Sequence, residues 1–407
     1  MVPRGRFINP NRCANHIRGP FLTAAPGPRH ITGMVAPLER RQRIARLMPL
    51  DDVMRRIAER VHPVTPREMR AAAALGATLA QDIVVAELHP AAPLALIDGW
   101  AVHAESTADA GPYAPAVLPQ LREVAVGEAL YDDSDAVAPL EAVTWRGGNG
   151  EVHVAMTPGE GVLMPGTDAG VGEVLRQTGH RLRAVDVAAM QALSIVGARV
   201  RKPRIRVARA GRGRNDIADA IADWLAYTIA ADGGEPVAMR PGGEVEALLT
   251  GGGVDAVAMI GGTGAGARDD TVHALARTGS VEAHGIALSP GETAAFGIAN
   301  SRPVLLMPGR LDAAVAVWLL IGQAILARLR GGTEPLASLK STLIGKITST
   351  VGLTELVLVR QVRDGVEPLA SKYLPLATLA QADGWIVIPA ASEGLPPGAR
   401  ITVCPLP

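Results

Sequence analysis

The chain has 407 residues, of which 48% are hydrophobic and 20% charged, which excludes a disordered chain and gives length for roughly two to four domains. Lys plus Arg and Asp plus Glu both number 40, so no net field draws the protein to nucleic acid or to an anionic membrane, and any anion site is local. Only 3% aromatics beside 45 Gly and 31 Pro implies many turns and small packed side chains, while two cysteines at opposite ends, Cys13 and Cys404, leave no disulfide framework or cysteine metal site and suit the cytoplasm.

Residues 1–48 read as a flexible extension: Arg4, Arg6, Arg12, Arg18 and Arg29 lie among Pro and Gly without the apolar run of a secretory signal, and Met34 offers an alternative start. Pro49-Leu50-Asp51-Asp52 then opens an amphipathic helix through Val61, with its acids at the positive end of the dipole. Thr65-Pro66-Arg67-Glu68 carries the cap, first-turn proline and third-position acid of a second helix ending near Gly76.

From Ala80 to about Asp168 the pattern changes to short alternating runs, such as 82–85 and 151–156, broken by Pro, Gly and Asp. Segments 49–84 and 173–198, the second with helical spacing over 184–194, therefore form a discontinuous lower domain around a β-rich insertion at 85–172. From 199 to 332 the chain alternates strand and helix, and the apolar runs 205–208, 254–260 and 303–307 suit a mostly parallel sheet covered on both faces. The most apolar stretch, Ala313 to Ala327, is shorter than the roughly 20 residues that span a bilayer and reads as a buried helix. The tail, 333–407, is β again, clearest at 355–359 and 384–389.

Several motifs punctuate these elements. Ile97-Asp98-Gly99-Trp100-Ala101-Val102 and Met164-Pro165-Gly166-Thr167-Asp168-Ala169-Gly170 fall in the insertion. Gly261-Gly262-Thr263-Gly264-Ala265-Gly266-Ala267-Arg268-Asp269, Ser289-Pro290-Gly291-Glu292 and Met307-Pro308-Gly309-Arg310-Leu311 fall in the α/β part. The glycine run follows an apolar strand and suits a backbone nest for phosphate, or else a tight strand-to-helix turn that touches no ligand; it has neither dinucleotide spacing nor a P-loop Lys-Ser/Thr. Asp98, Asp168 and Asp269 end loops, where Asp serves equally as cap or as hard-oxygen ligand. His89, His153 and His284 lack ligand spacing and read as structural or surface residues.

In this order, together with Ser349-Thr350-Val351-Gly352 and Ala382-Asp383-Gly384-Trp385 in the tail, the motifs resemble the molybdopterin molybdenumtransferase family of the MoeA and gephyrin E-domain type, from Leu50 to Pro407. The resemblance implies a three-layer α/β/α molybdopterin-binding domain, an inserted β domain and a C-terminal β-barrel-like domain. It implies insertion of molybdate into adenylylated molybdopterin with release of AMP, a requirement for Mg2+, a homodimer, and delivery to a molybdoenzyme client. Carried over by motif, Asp98, Asp168 and Asp269 are the catalytic acids, with Asp98 and Asp269 on the metal. Gly261, Gly262, Thr263, Gly264, Gly266, Ser289, Pro290, Gly291, Pro308 and Gly309 bind substrate.

The chain also departs from the family pattern. Tyr131-Asp132-Asp133-Ser134 stands for a neutral T-G-A turn, Ala210-Gly211-Arg212-Gly213-Arg214 for an acidic T-G-D-E, and Gly285 and Ser289 for two lysines. Two lost lysines correspond to about 3–6 kcal/mol of oxyanion binding. Arg212, Arg214, Arg268 and Arg310 lie in the same loops and offer bidentate replacements, so Arg212 and Arg310 join the expected binding residues; as bare residues they are equally solvated loop charges. Besides the transferase, these changes leave open a carrier that binds molybdopterin or finished cofactor without catalysis, and a scaffold that binds no pterin.

Overall fold

The alternating strands and helices of residues 199–332 leave apolar groups on both faces of every strand, and such strands are buried only between two helical layers. A computed structural model describes residues 42–211, 213, 215–238, 243–267, 269–332 and 337–407. At its centre a six-stranded sheet runs in the order Glu235–Ala238, Arg204–Arg209, Ala256–Ile260, Arg302–Met307, Ala295–Ala299, Gly279–His284. The first four strands are parallel, and Ala295–Ala299 runs antiparallel to both of its neighbours, Arg302–Met307 and Gly279–His284.

The two faces separate by residue parity. Ala258 and Ile260, with Ile205 and Leu305, pack under Ile221, Leu225 and Ile229 of helix Asp216–Ala231 and under Trp318 and Ile325. Val257 and Met259, with Val304 and Leu306, pack against Leu248, Leu249, Val272 and Leu275 of the opposite layer. The multidomain α/β class expected from the sequence is the observed one.

The apolar helix runs Leu311–Arg330, further than expected, and is long and apolar enough to cross a membrane by length and composition; two-thirds of it is buried within the fold. It contains one π-helical turn, Trp318–Gly322. The indole of Trp318 lies over Gly322, where an added Cβ would come within 2.2 Å of a ring carbon.

The helix expected from Thr65 does not form. Arg67–Arg70 is instead a strand antiparallel to Gly197–Arg201, whose other edge pairs with Thr78–Leu79, and only Ala71–Ala74 makes a single 3-10 turn. The cap signature is local, whereas the ladder satisfies this backbone from about 130 residues away and buries Ala71 and Ala74 against Leu79, Leu182 and Met190. Ile83–Val84 pairs with Val174–Arg176, so the chain leaves and re-enters this layer at neighbouring strands, and the insertion between them consists of small sheets around Gly99–Val102 and Asn149–Val152.

The tail forms a sheet from Thr354–Val362, Gly384–Ile388, Arg400–Pro405 and Leu339–Thr342, with Gly365–Ala370 on the side. Leu288–Ser289 joins it, parallel to Thr354–Glu355. Residues 42–48, assigned by the sequence to the extension, lie along 285–287: the Met48 N–H donates to the Gly285 carbonyl and the Ala287 N–H to the Met48 carbonyl, both at 2.8 Å.

Candidate functional site

In the central sheet the chain moves outward from Arg204–Arg209 to Glu235–Ala238, then returns across to Ala256–Ile260. Strand order therefore reverses between Arg204–Arg209 and Ala256–Ile260, and at such a point the loops leaving the C-terminal strand ends part to form a crevice. A cleft of about 540 Å³ opens there, within the usual range for small-molecule sites. Its walls are the glycine loop from Gly261 to Gly264 with Asp269, the turn of Pro308, Gly309 and Arg310, and, on the third side, Arg209, Ala210, Gly211, Gly213 and Asn215.

Gly261 and Gly262 have φ of +85° and +73°, a region open to glycine at little cost. A Cβ on Gly262 would sit 2.6 Å from the Thr271 methyl. Among the described residues the amides of Gly262, Thr263 and Gly264 find no acceptor, whereas Gly261 N–H donates to Met307 O at 2.8 Å. Consecutive unpaired amides in a left-handed turn are an anion nest. The N-termini of the Asp216–Ala231 and Leu311–Val317 helices flank it, so two positive dipole ends meet the same space.

Side chains hold this shape. Asp269 Oδ2 accepts the Gly266 N–H at 2.8 Å, and the Thr271 hydroxyl donates to Gly262 O at 2.7 Å. Thr263 and Thr293 share a hydroxyl bond of 3.0 Å across the loop. Arg209, buried at the strand end, donates to Gly213 O at 2.6 Å and pairs with Asp219 at 2.9 Å, which ties Gly213 to the first turn of the following helix. Asn215 caps its helix by accepting the Ala218 N–H.

Arg310 lines the cleft with its side chain 63% exposed, but its Nε and Nη2 are held by the buried Asp312, and Tyr373 lies 5.4 Å from its guanidinium. That carboxylate raises the Arg310 pKa and offsets part of its charge. Only Nη1 is left without a partner among the described residues.

The structure thus gathers Gly261, Gly262, Thr263, Gly264, Asp269, Pro308, Gly309 and Arg310 of the expected set, with Gly266 on the same loop. Arg212, Arg214 and Arg268 lie outside the described residues. Asp98 and Asp168 belong to the insertion and do not line the cleft. Asp98 accepts the Val126 N–H at 2.8 Å, and the Asp168 N–H donates to His89 O, so neither joins Asp269 within one chain. Ser289, Pro290 and Gly291 also stand away from the lining, since Ser289 is buried in the strand pair with the tail. Among the described residues no three His, Cys, Asp or Glu side chains are grouped to hold a metal.

Arg209, Asn215 and Thr293 were missed. Arg209 ends an apolar strand at a topological edge, a signal that sequence order alone does not display. In the insertion, the Tyr131–Ser134 loop is a local structure: Arg122 pairs with Asp133 and stacks on Tyr131 at 3.7 Å.

His284 touches the loop from behind, donating from Nε2 to Thr263 O at 3.3 Å. Burial is the leading cause that holds its pKa below the usual imidazole value, with the Thr263 bond opposing. A depressed imidazole contributes stability above its unfolded value of about 6.5, and that contribution is lost as pH falls through the folded value. The difference in urea midpoint between wild type and His284→Gln should therefore shrink as pH drops below about 6.5. A pH-independent difference would remove His284 titration from loop stability.

Residues 48–194 match the family described as "MoeA N-terminal region (domain I and II)", and residues 194–328 the one described as "Probable molybdopterin binding domain". Two structures of molybdopterin biosynthesis MoeA proteins from Pyrococcus horikoshii superpose with TM-scores of 0.65 and 0.64 at 24% and 21% identity. They cover 88% and 89% of this chain and 99% and 100% of their own. A molybdenum cofactor biosynthesis protein from Pyrococcus furiosus gives 0.55 at 17% identity, over 89% of this chain and 100% of that one. A curated Methanocaldococcus jannaschii protein named for molybdopterin biosynthesis is 30% identical over 137 residues, 33% of this chain, and the match spans about a third (32%) of that relative's length.

Proposed function

Because the chain belongs to the MoeA family of molybdenum cofactor biosynthesis proteins, we propose that its cleft binds adenylylated molybdopterin and inserts molybdate into the dithiolene with release of AMP. The observation that carries this reading is the unpaired amide run Gly262–Gly264 at the strand-order reversal, between two helix N-termini. Phosphate oxygens are the natural acceptors for such a nest. Pro308 and Gly309 form the facing wall, where the Gly309 side-chain position lies 3.6 Å from the Gly261 Cα and leaves no bulk over the nest. Arg310 Nη1 offers one further donor to molybdate or phosphate.

The described residues do not make a protein-built Mg2+ cage. Asp269 commits one oxygen to Gly266, Asp98 is committed in the insertion, and Asp219 is tied to Arg209. In this reading, Asp98 and Asp168 act only if a second copy brings its insertion to the cleft, as in the homodimers that the resemblance implies. Mixing the impaired Asp98→Ala and Asp269→Ala proteins should then restore activity; no recovery from an exchanging mixture removes Asp98 from the site.

The reading is tested by incubating the protein with adenylylated molybdopterin, molybdate and Mg2+, and measuring AMP release and reconstitution of an apo molybdoenzyme. AMP release above background is expected, and its absence with intact substrate sinks the transferase. The dispersed carboxylates specifically favour a second reading, a carrier of molybdopterin or finished cofactor for a client molybdoenzyme. Tight pterin binding without AMP release would select it.

A further inference from the structure

Gln42 is 2% exposed, although it precedes each of its described hydrogen-bond partners by more than 200 residues. Its Nε2 donates to Gly262 O at 2.9 Å and Gly264 O at 2.8 Å, while its Oε1 accepts the N–H of Val272 at 2.7 Å and of His273 at 3.3 Å. Both donors and both acceptor positions of the amide are thereby used. The two carbonyls belong to the turn whose amides line the cleft, and fixing a carbonyl fixes the plane of the peptide that carries it. Val272 and His273 open the Thr271–Thr278 helix, whose first-turn amides lack a cap, since Asp270 makes no side-chain capping bond.

The arm that carries Gln42 has a fitted seat. Gly285 has φ of +80°, and a Cβ there would lie 2.3 Å from Ile44 Cγ2. Two backbone bonds then tie Met48 to Gly285 and Ala287. The seat and the four amide bonds are separate contacts that place the same side chain behind the same loop.

We propose that Gln42 is a positioning residue that sets the binding shape of the glycine loop, so that ligand affinity in the cleft depends on the arm before Met48. The ligand half of this inference rests on the function proposed above; the loop half does not. The arm cross-links loop and helix from behind without lining the cleft, so it acts through the loop and touches no substrate.

Hydrogen–deuterium exchange of residues 261–275 and molybdopterin titration, on full-length wild type, Gln42→Ala, Gln42→Glu and Gly285→Ala, test both halves. In Gln42→Ala, exchange of 261–275 should rise and molybdopterin affinity fall by roughly 10- to 100-fold, while exchange of 50–60 stays near wild type. Gln42→Glu keeps the acceptor and loses both donors, so 272–273 should remain protected while the loop opens. Gly285→Ala, which displaces Ile44 but leaves Gln42 in the chain, should reproduce the alanine variant. Wild-type exchange and affinity in Gln42→Ala would overturn the inference. A wild type that binds no molybdopterin would overturn the functional reading instead, and the exchange data alone would still decide the role of Gln42 in the loop.

Discussion

If the proposed transfer takes place in the cleft, replacing Asp269 with alanine is expected to slow AMP release by roughly 10²–10³-fold, because it loosens the turn whose amide donors would meet the developing negative charge. Its carboxylate is the acceptor that pins the Gly266 amide, and the side-chain positions of Gly264 and Gly266 lie 2.8 and 2.9 Å from the same oxygen. Removing it leaves a glycine-rich turn with many accessible conformations and a poorer nest. Asp269→Asn separates shape from charge, because the amide oxygen can still accept from Gly266. A rate near wild type in Asp269→Asn would assign the residue to loop shape, whereas a rate as low as in the alanine protein would assign it to charge at the reacting phosphate. Alanine substitution without loss would remove Asp269 from the site.

The largest expected loss of stability comes from Arg206→Met, about 3 kcal/mol, read as a lower urea midpoint at unchanged slope. Arg206 is 5% exposed, and burial is the first cause that lowers its pKa, followed by the nearby Arg302. Its guanidinium donates to Leu248 O, Gly251 O and Gly252 O at 2.9, 2.8 and 2.7 Å, at the negative end of the short Val245–Thr250 helix. Arg302 also holds Gly251 O, so methionine would leave chiefly the Leu248 and Gly252 carbonyls without a donor, each costing about 1–3 kcal/mol. A loss below about 1 kcal/mol would show that water or Arg302 takes over these carbonyls.

What the sequence displayed well was whatever repeats locally. The apolar runs 205–208, 254–260 and 303–307 each became a strand within a residue or two, and the order of the motifs pointed to the fold. Contacts across hundreds of residues were illegible. Thr65-Pro66 looked like a helix start because its partner strand, Gly197–Arg201, is far along the chain. Gln42 sat in a stretch read as flexible, since nothing near it says that Gly262 and Val272 will be its partners. Arg206 was counted in an apolar strand because its carbonyl partners belong to a different layer. The departure at Gly285 has a physical counterpart: the backbone there is left-handed and Ile44 occupies the side-chain position, so a lysine would unseat the arm.

The short strand Leu288–Ser289 belongs by sequence to the three-layer part and by hydrogen bonding to the tail sheet. Melting the tail therefore means stripping an edge from a segment that also leads, four residues after Ser289, to Thr293 on the cleft wall. Cooperativity spreads through such shared ladders, and residues 204–407 should unfold in one transition, with the cleft and the tail sheet reporting the same midpoint.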